Sequence, residues 1–206
     1  MIADCTAVIL AGGQSRRMGH DKATLRLGER TLMQQVIAAV APLFPRLVVS
    51  VGAPRADLPW PQVCDEAPGL GPLGGLCAAL RQVDTPWIFA LATDMPFVAP
   101  ALVEALAVLR NGAVDAVVPR VHGHPQPLAA FYSTRCSAAF AALLEGSAGE
   151  GTDASDARRR SLRAALGTIA ALYVDEPGLL AADPGLRSFF DLDTPQDLTA
   201  ATRMAR

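Results

Sequence analysis

Residues 8–22 read VILAGGQSRRMGHDK, an apolar run that passes directly into two glycines, two arginines and a lysine. A strand ending this way delivers pliable backbone and positive charge to one point. Working outward, TAVIL (6–10), RLVVSVG (46–52), WIFALA (87–92) and AVVP (116–119) are short apolar runs rich in β-branched or aromatic residues, the pattern of strands buried on both faces. Helical patterns separate them. In TLMQQVIAAVAPLF, Met33, Val36, Ile37 and Val40 share one face, and Thr31 with Gln34 has capping-box spacing, so a helix is expected to begin near residue 31. Two more should follow Pro72, through LGGLCAALRQV, and Pro100, through ALVEALAVLR, because proline suits a first helical turn. Leu102, Leu106 and Leu109 have the spacing of a core stripe on the last of these. The alternation predicts an α/β fold: a single doubly wound, mainly parallel, Rossmann-like sheet with helices on both faces. Ligands then belong at the carboxyl ends of strands, near a switch in strand order. PLAAFY (127–132) and the segment 171–174 are further strand candidates, with an antiparallel edge among the expectations.

Composition bounds the function. The chain has 206 residues, 51% of them hydrophobic, which suits one domain over 1–206 with a substantial core. With 18 basic and 20 acidic residues the net charge is -2, so no overall attraction to nucleic acid or to an anionic membrane is expected, and any anion site must be local. The absence of a long apolar run and of a basic amino-terminal leader places the expectation in the cytoplasm. Cys5, Cys64, Cys77 and Cys136 lack CxxC pairing and sit in or beside apolar segments, as reduced, packed thiols do.

The opening stretch carries chemistry. About twenty residues separate Leu10 from the helix at Thr31, where strand-to-helix loops in such folds usually take ~2 to 6. Gly12 and Gly13 let main-chain N–H groups approach a phosphate, and Arg16, Arg17 and Lys22 can neutralise a triphosphate. The spacing is neither a Walker A loop nor a dinucleotide fingerprint. In WIFALATDMPFVAP, Asp94 follows an apolar strand just before the chain turns at Met95 and Pro96. A carboxylate there suits magnesium, which takes a few carboxylate oxygens together with phosphate and water. In PQVCDEAPGLGPLGGL, Asp65 ends a short extended segment beside a glycine-rich helix entry, a place for a nucleoside or simply for a turn.

Five motifs, in order along nearly the whole chain, resemble the molybdenum cofactor guanylyltransferases, the MobA family. They are LAGGQSRRMGHDK, the run from Asp65 to GPLGGL, LATDMPF at 91–97, HPQPLAAFY at 124–132 and FDLDTPQDL at 190–198. The resemblance implies transfer of GMP from Mg-GTP to the terminal phosphate of molybdenum-loaded molybdopterin, with release of pyrophosphate. It implies that Leu10, Ala11, Gly12 and Gly13 lie along the nucleotide, Lys22 on its phosphates, Asp65 near the nucleoside and Asp94 on Mg2+, with Arg17 assisting the transfer. Transient contacts with molybdopterin-carrying proteins or molybdoenzymes follow from the same resemblance.

The chain also departs from the pattern. Ser50 stands where the family often has an asparagine at the end of the second strand, and a nucleotide contact is expected of it. Asp191 and Asp193 replace two amides before Thr194 and Pro195, which makes Asp193 a second metal candidate, although Thr194, Pro195 and Asp197 also form a helix start. The stretch 146–156 reads as a loop longer than the family's turn. His122 and His124 form an H-x-H pair without further zinc ligands nearby in sequence, and Arg158, Arg159 and Arg160 suit a solvated helix start or a phosphate contact. Close alternatives are a molybdopterin cytidylyltransferase using CTP, a sugar-phosphate nucleotidyltransferase, and a non-catalytic GTP-binding partner in cofactor delivery. A nicotinamide oxidoreductase is disfavoured, since SVGAPR carries no acidic ribose partner before Asp57.

Overall fold

A computed structural model describes residues 1–11, 25–65, 69–146 and 161–205. Its central sheet is built from β1 (Cys5–Leu10), β4 (Arg46–Val51), β5 (Gln62–Cys64), β6 (Trp87–Ala92), β7 (Ala116–Val121), β8 (His124–Pro125), β9 (Ala129–Ser133) and β10 (Ala171–Asp175). The order across the sheet is β10-β7-β9-β6-β1-β4-β5, with β8 pairing on β7. A separate two-residue hairpin joins β2 (Arg26–Leu27) to β3 (Arg30–Thr31). The helices are α1 (Leu32–Val40), α2 (Gly71–Gln82), α3 (Pro100–Ala107), α4 (Cys136–Glu145), α5 (Leu162–Leu166), α6 (Glu176–Leu179) and α7 (Pro195–Met204). Among the described residues no helix is long and apolar enough to cross a membrane.

β1 is the switch point. It lies between β4 and β6 and runs parallel to both. Its alternating side chains divide between two cores: Cys5, Ala7 and Ile9 pack with α1 and α3, while Val8 and Leu10 pack with α2, α4 and α5. A period of two on a strand buried on both sides therefore produces the doubly wound arrangement that the sequence pattern predicts. α1 begins with the expected capping box, in which Thr31 Oγ1 accepts from Gln34 N at 3.2 Å and Gln34 Oε1 accepts from Thr31 N at 2.9 Å. α3 ends before Leu109, so Leu102 and Leu106 are buried helix positions and Leu109 packs against the core from the turn that follows.

The two-residue β8 pairs antiparallel with β7, but the longer antiparallel strand, β9, is not at the edge. β9 pairs antiparallel with β6 on one side and with β7 on the other. All five of its residues are buried: Phe131 joins the core under α1 and α3, and Tyr132 joins the opposite one. An apolar strand needs cover on both faces and both edges, whereas β10, partly exposed along its length, can occupy the margin, where it pairs parallel with β7. The four cysteines are free thiols, three of them buried. Burial pushes the Cys5 thiol up, and the Cys136 thiol up to about 12.

Candidate active site

The hydrogen-bonded ladder continues past the carboxyl ends of the central strands. Thr93 N donates to Leu10 O at 3.4 Å, Ala11 N to Ser50 O at 2.9 Å and Asp65 N to Val51 O at 3.1 Å. Leu10 stands between Ser50 and Ala92 in register. Leu10, Ala11, Ser50, Asp65 and Asp94, separated by up to 84 positions in sequence, therefore share one edge of the sheet.

Three of these residues meet at Gly75. A Cβ placed there would lie 2.4 Å from Ser50 Oγ, 3.3 Å from Asp65 Oδ1 and 3.4 Å from Leu10 Cδ2. The glycine-rich run thus has a definite task, which is to let the backbone of α2 approach the ends of β1, β4 and β5 closely. Gly71, at the start of α2, has φ +65°, a left-handed conformation that a side chain would strain. Burial pushes the Asp65 carboxyl up from its ordinary range.

An acid whose folded pKa is raised costs stability where it is ionised, and the cost is relieved as pH falls through the folded value. Asp65→Asn is therefore expected to raise the thermal midpoint of the ligand-free protein at neutral pH, with the gain shrinking towards acid pH. The same variant should bind GTP more weakly. Thermal unfolding across pH and titration with GTP check both signs, and a lowered midpoint at neutral pH would contradict the reading.

Asp94 sits in the turn after β6, where Met95 N donates to Ala92 O at 3.4 Å. It is half-buried. Its carbonyl accepts the amide of Leu192 at 3.0 Å, so the segment carrying Asp191 and Asp193 is fastened to the Asp94 turn. Leu192 is fully buried, and the two aspartates that flank it are exposed. Asp197 Oδ2 accepts from Asp193 N at 3.0 Å and from Thr194 N at 2.7 Å, which completes a capping box at α7. The helix-start reading of Thr194, Pro195 and Asp197 is what the structure contains. Among the described residues no group of three or more His, Cys, Asp or Glu side chains could hold a metal. A donor set of one or two carboxylates fits an ion that takes its remaining ligands from phosphate and water, as Mg2+ does.

A cavity of about 460 Å³ opens beside the β7–β8 hairpin. Its walls include His124, Gln126, Arg187, Phe189, Phe190 and Met204. Phe190 packs edge-on against Phe97, three residues beyond Asp94, at a centroid distance of 5.9 Å. Arg187 lies 5.3 Å over the same Phe97 ring and donates to Met204 O at 2.6 Å. His122 and His124 both line this cavity but have different partners. His122, at the tip of the β7–β8 hairpin, contacts Glu176 (Nδ1 to Oε1, 3.2 Å), whereas His124 Nδ1 is 3.4 Å from Arg163 Nη2.

Gly12, Gly13, Arg16, Arg17 and Lys22 lie outside the described residues, as do Arg158, Arg159, Arg160 and the stretch 146–156 apart from Gly146. Sequence reasoning missed Leu192, Arg187 and Phe190 as participants. The FDLD motif drew attention to its acids, while the apolar residue between them carries the contact to the site.

An open α/β sheet with a switch point at β1, a glycine-lined strand edge and the Asp94 carboxylate beside it defines a nucleotide-binding α/β protein. A family model described as the MobA-like NTP transferase domain matches residues 7–168. A relative from Chloroflexus aggregans named "Probable molybdenum cofactor guanylyltransferase" is 37% identical over 94% of this chain and 91% of its own. The molybdenum cofactor guanylyltransferase of Syntrophotalea carbinolica is 32% identical over 93% of this chain and 88% of its own. Among solved structures, molybdopterin-guanine dinucleotide biosynthesis protein A from Archaeoglobus fulgidus superimposes with a TM-score of 0.82 at 26% identity, covering 97% of this chain and 98% of that one. The 2-C-methyl-D-erythritol 4-phosphate cytidylyltransferase of Thermus thermophilus shares the fold, with a TM-score of 0.60 at 23% identity over 97% and 98% of the two chains. The chain belongs to the MobA-like NTP transferase family, and it is an enzyme, a nucleotidyltransferase, similar along almost its whole length to molybdenum cofactor guanylyltransferases.

Proposed function

We propose that this single-domain, cytoplasmic chain transfers GMP from Mg-GTP to the terminal phosphate of molybdenum-loaded molybdopterin, forming molybdopterin guanine dinucleotide and pyrophosphate. The observation that carries the reading is the convergence of Leu10, Ser50 and Asp65 on Gly75, with Asp94 across β1 on the same strand edge. Asp65 and Ser50 take the nucleoside, and Leu10, Ala11, Gly12 and Gly13 run beside the nucleotide. Asp94 faces the phosphates, with Asp193 as the second candidate on the metal side. The acceptor occupies the cavity beside Phe190 and Arg187, where an aromatic wall and a guanidinium suit a planar heterocycle bearing a phosphate.

The chemistry needs no general base to create a nucleophile, because the acceptor phosphate is already ionised at neutral pH. One of its oxygens forms a bond to the α-phosphorus of GTP as the bond to the bridging oxygen breaks, and the electron pair leaves with pyrophosphate. Magnesium held by Asp94 would neutralise phosphate charge. Lys22 and Arg17 carry the remaining stabilisation of the α-phosphate and the leaving group, so orientation and electrostatics supply the rate.

The test offers GTP, CTP, ATP and UTP separately, with Mg2+ and purified metal-loaded molybdopterin. The expected product has the mass of the guanine dinucleotide and forms only with GTP. A cytidine product would move the chain to the CTP-using sister activity. Tight GTP binding without pyrophosphate release would make it a carrier.

A further inference from the structure

The matched family domain ends at residue 168, yet a later part of the chain returns to the strand edge. The Asp94 carbonyl accepts a main-chain hydrogen bond from Leu192 N, at 3.0 Å. The Leu192 side chain is fully buried in a small cluster of its own with Leu27, Leu32 and Ala201, against which Leu25, Phe97 and Leu198 pack. Its members come from three parts of the site's framework. Leu25 and Leu27 lie where the chain emerges from the 12–24 stretch, and Leu32 N donates to Leu25 O at 2.8 Å, joining that exit to α1. Phe97 follows the Asp94 turn, and Leu198 and Ala201 belong to α7, whose start is fixed by its capping box. Among the described residues the cluster is separate from the two cores that flank the sheet.

We propose that Leu192 is a positioning residue for Asp94: its amide fixes the turn, and its buried side chain ties that turn to both the segment 25–32 and the carboxy-terminal helix. The inference rests on the reading of Asp94 as the metal-side carboxylate. A hydrogen bond to a carbonyl sets the peptide plane beside the acid, and a side chain anchored by packing holds that plane against thermal displacement, as supporting groups do around metal ligands. α7 therefore acts as a brace for the phosphate-binding edge.

Free Mn2+, followed by its paramagnetic resonance signal in the presence of GTP, measures the effect without requiring turnover. Leu192→Ala is expected to weaken GTP-dependent Mn2+ binding about tenfold, in the range seen when groups supporting a metal ligand are removed. Leu192→Met should restore it. Leu106→Ala, in the core under α3, lowers the thermal midpoint to a similar degree and is expected to bind Mn2+ as the unchanged protein does. Should Leu192→Ala not fold, Leu192→Val takes its place with a several-fold weakening expected. The inference is overturned if the Leu192 variants bind Mn2+ normally, or no more weakly than Leu106→Ala, while Asp94→Ala loses binding. Normal Mn2+ binding by Asp94→Ala instead removes the reading of Asp94 itself, and the positioning role falls with it.

Discussion

Asp94→Ala is expected to reduce pyrophosphate release by about a thousandfold at saturating GTP and Mg2+, the scale of loss when a preorganised electrostatic contact to a reacting phosphate is removed. The expectation follows from placement. Asp94 lies just past β6, the strand that adjoins β1 at the switch point, and its carbonyl is pinned by Leu192 N. Removing the carboxylate leaves that backbone contact available, so the fold should survive while metal positioning is lost. Asp94→Asn keeps the shape and discards the charge, and it should fall nearly as far. The discriminating comparison is thermal stability beside turnover: a midpoint close to the parent with turnover lost is the expected pattern. Near-normal turnover in either variant would remove Asp94 from the mechanism.

Gly75→Val is expected to lose at least about tenfold in GTP affinity together with a lower thermal midpoint, because overpacking a tight contact typically costs about 1–3 kcal/mol. The first added carbon would meet Ser50 Oγ at 2.4 Å, and Asp65 Oδ1 and Leu10 Cδ2 leave it no room to shift sideways. Ser50 is buried, so its hydroxyl has little space in which to rotate away. Gly74→Ala is the informative neighbour. Its Cβ would press on Leu70, whose side chain lies outside the Ser50–Asp65 contact, so it should disturb α2 without the same loss of nucleotide. Equilibrium binding of GTP separates the two. Equal losses for Gly74→Ala and Gly75→Val would show that α2 matters only as a whole.

The parallel half of the fold was legible because its signals are local. β1, β4 and β6 are apolar runs of strand length, and Thr31, Pro72, Pro100 and Thr194 mark helix starts by backbone chemistry that acts within one turn. β9 was legible as a strand but not in its position. Two buried faces are compatible with any interior site, and only the partners β6 and β7 decide which. The same division holds for the site. Asp65, Ser50 and Leu10 were visible singly as residues at strand ends, whereas their meeting at Gly75 depends on how α2 crosses the sheet, a contact between elements that no spacing encodes. Leu192 was hidden for a related reason: an apolar residue between two aspartates gives no sign that it packs on Leu27 and Leu32, which lie about 160 positions earlier.

β9 has one more effect, on spacing. Because it runs against both its neighbours, β6 and β7 point the same way with one strand between them, so their carboxyl ends stand about 10 Å apart where adjacent parallel strands would leave about 5 Å. The reversed strand works as a spacer, widening the rim on the Asp94 side of β1.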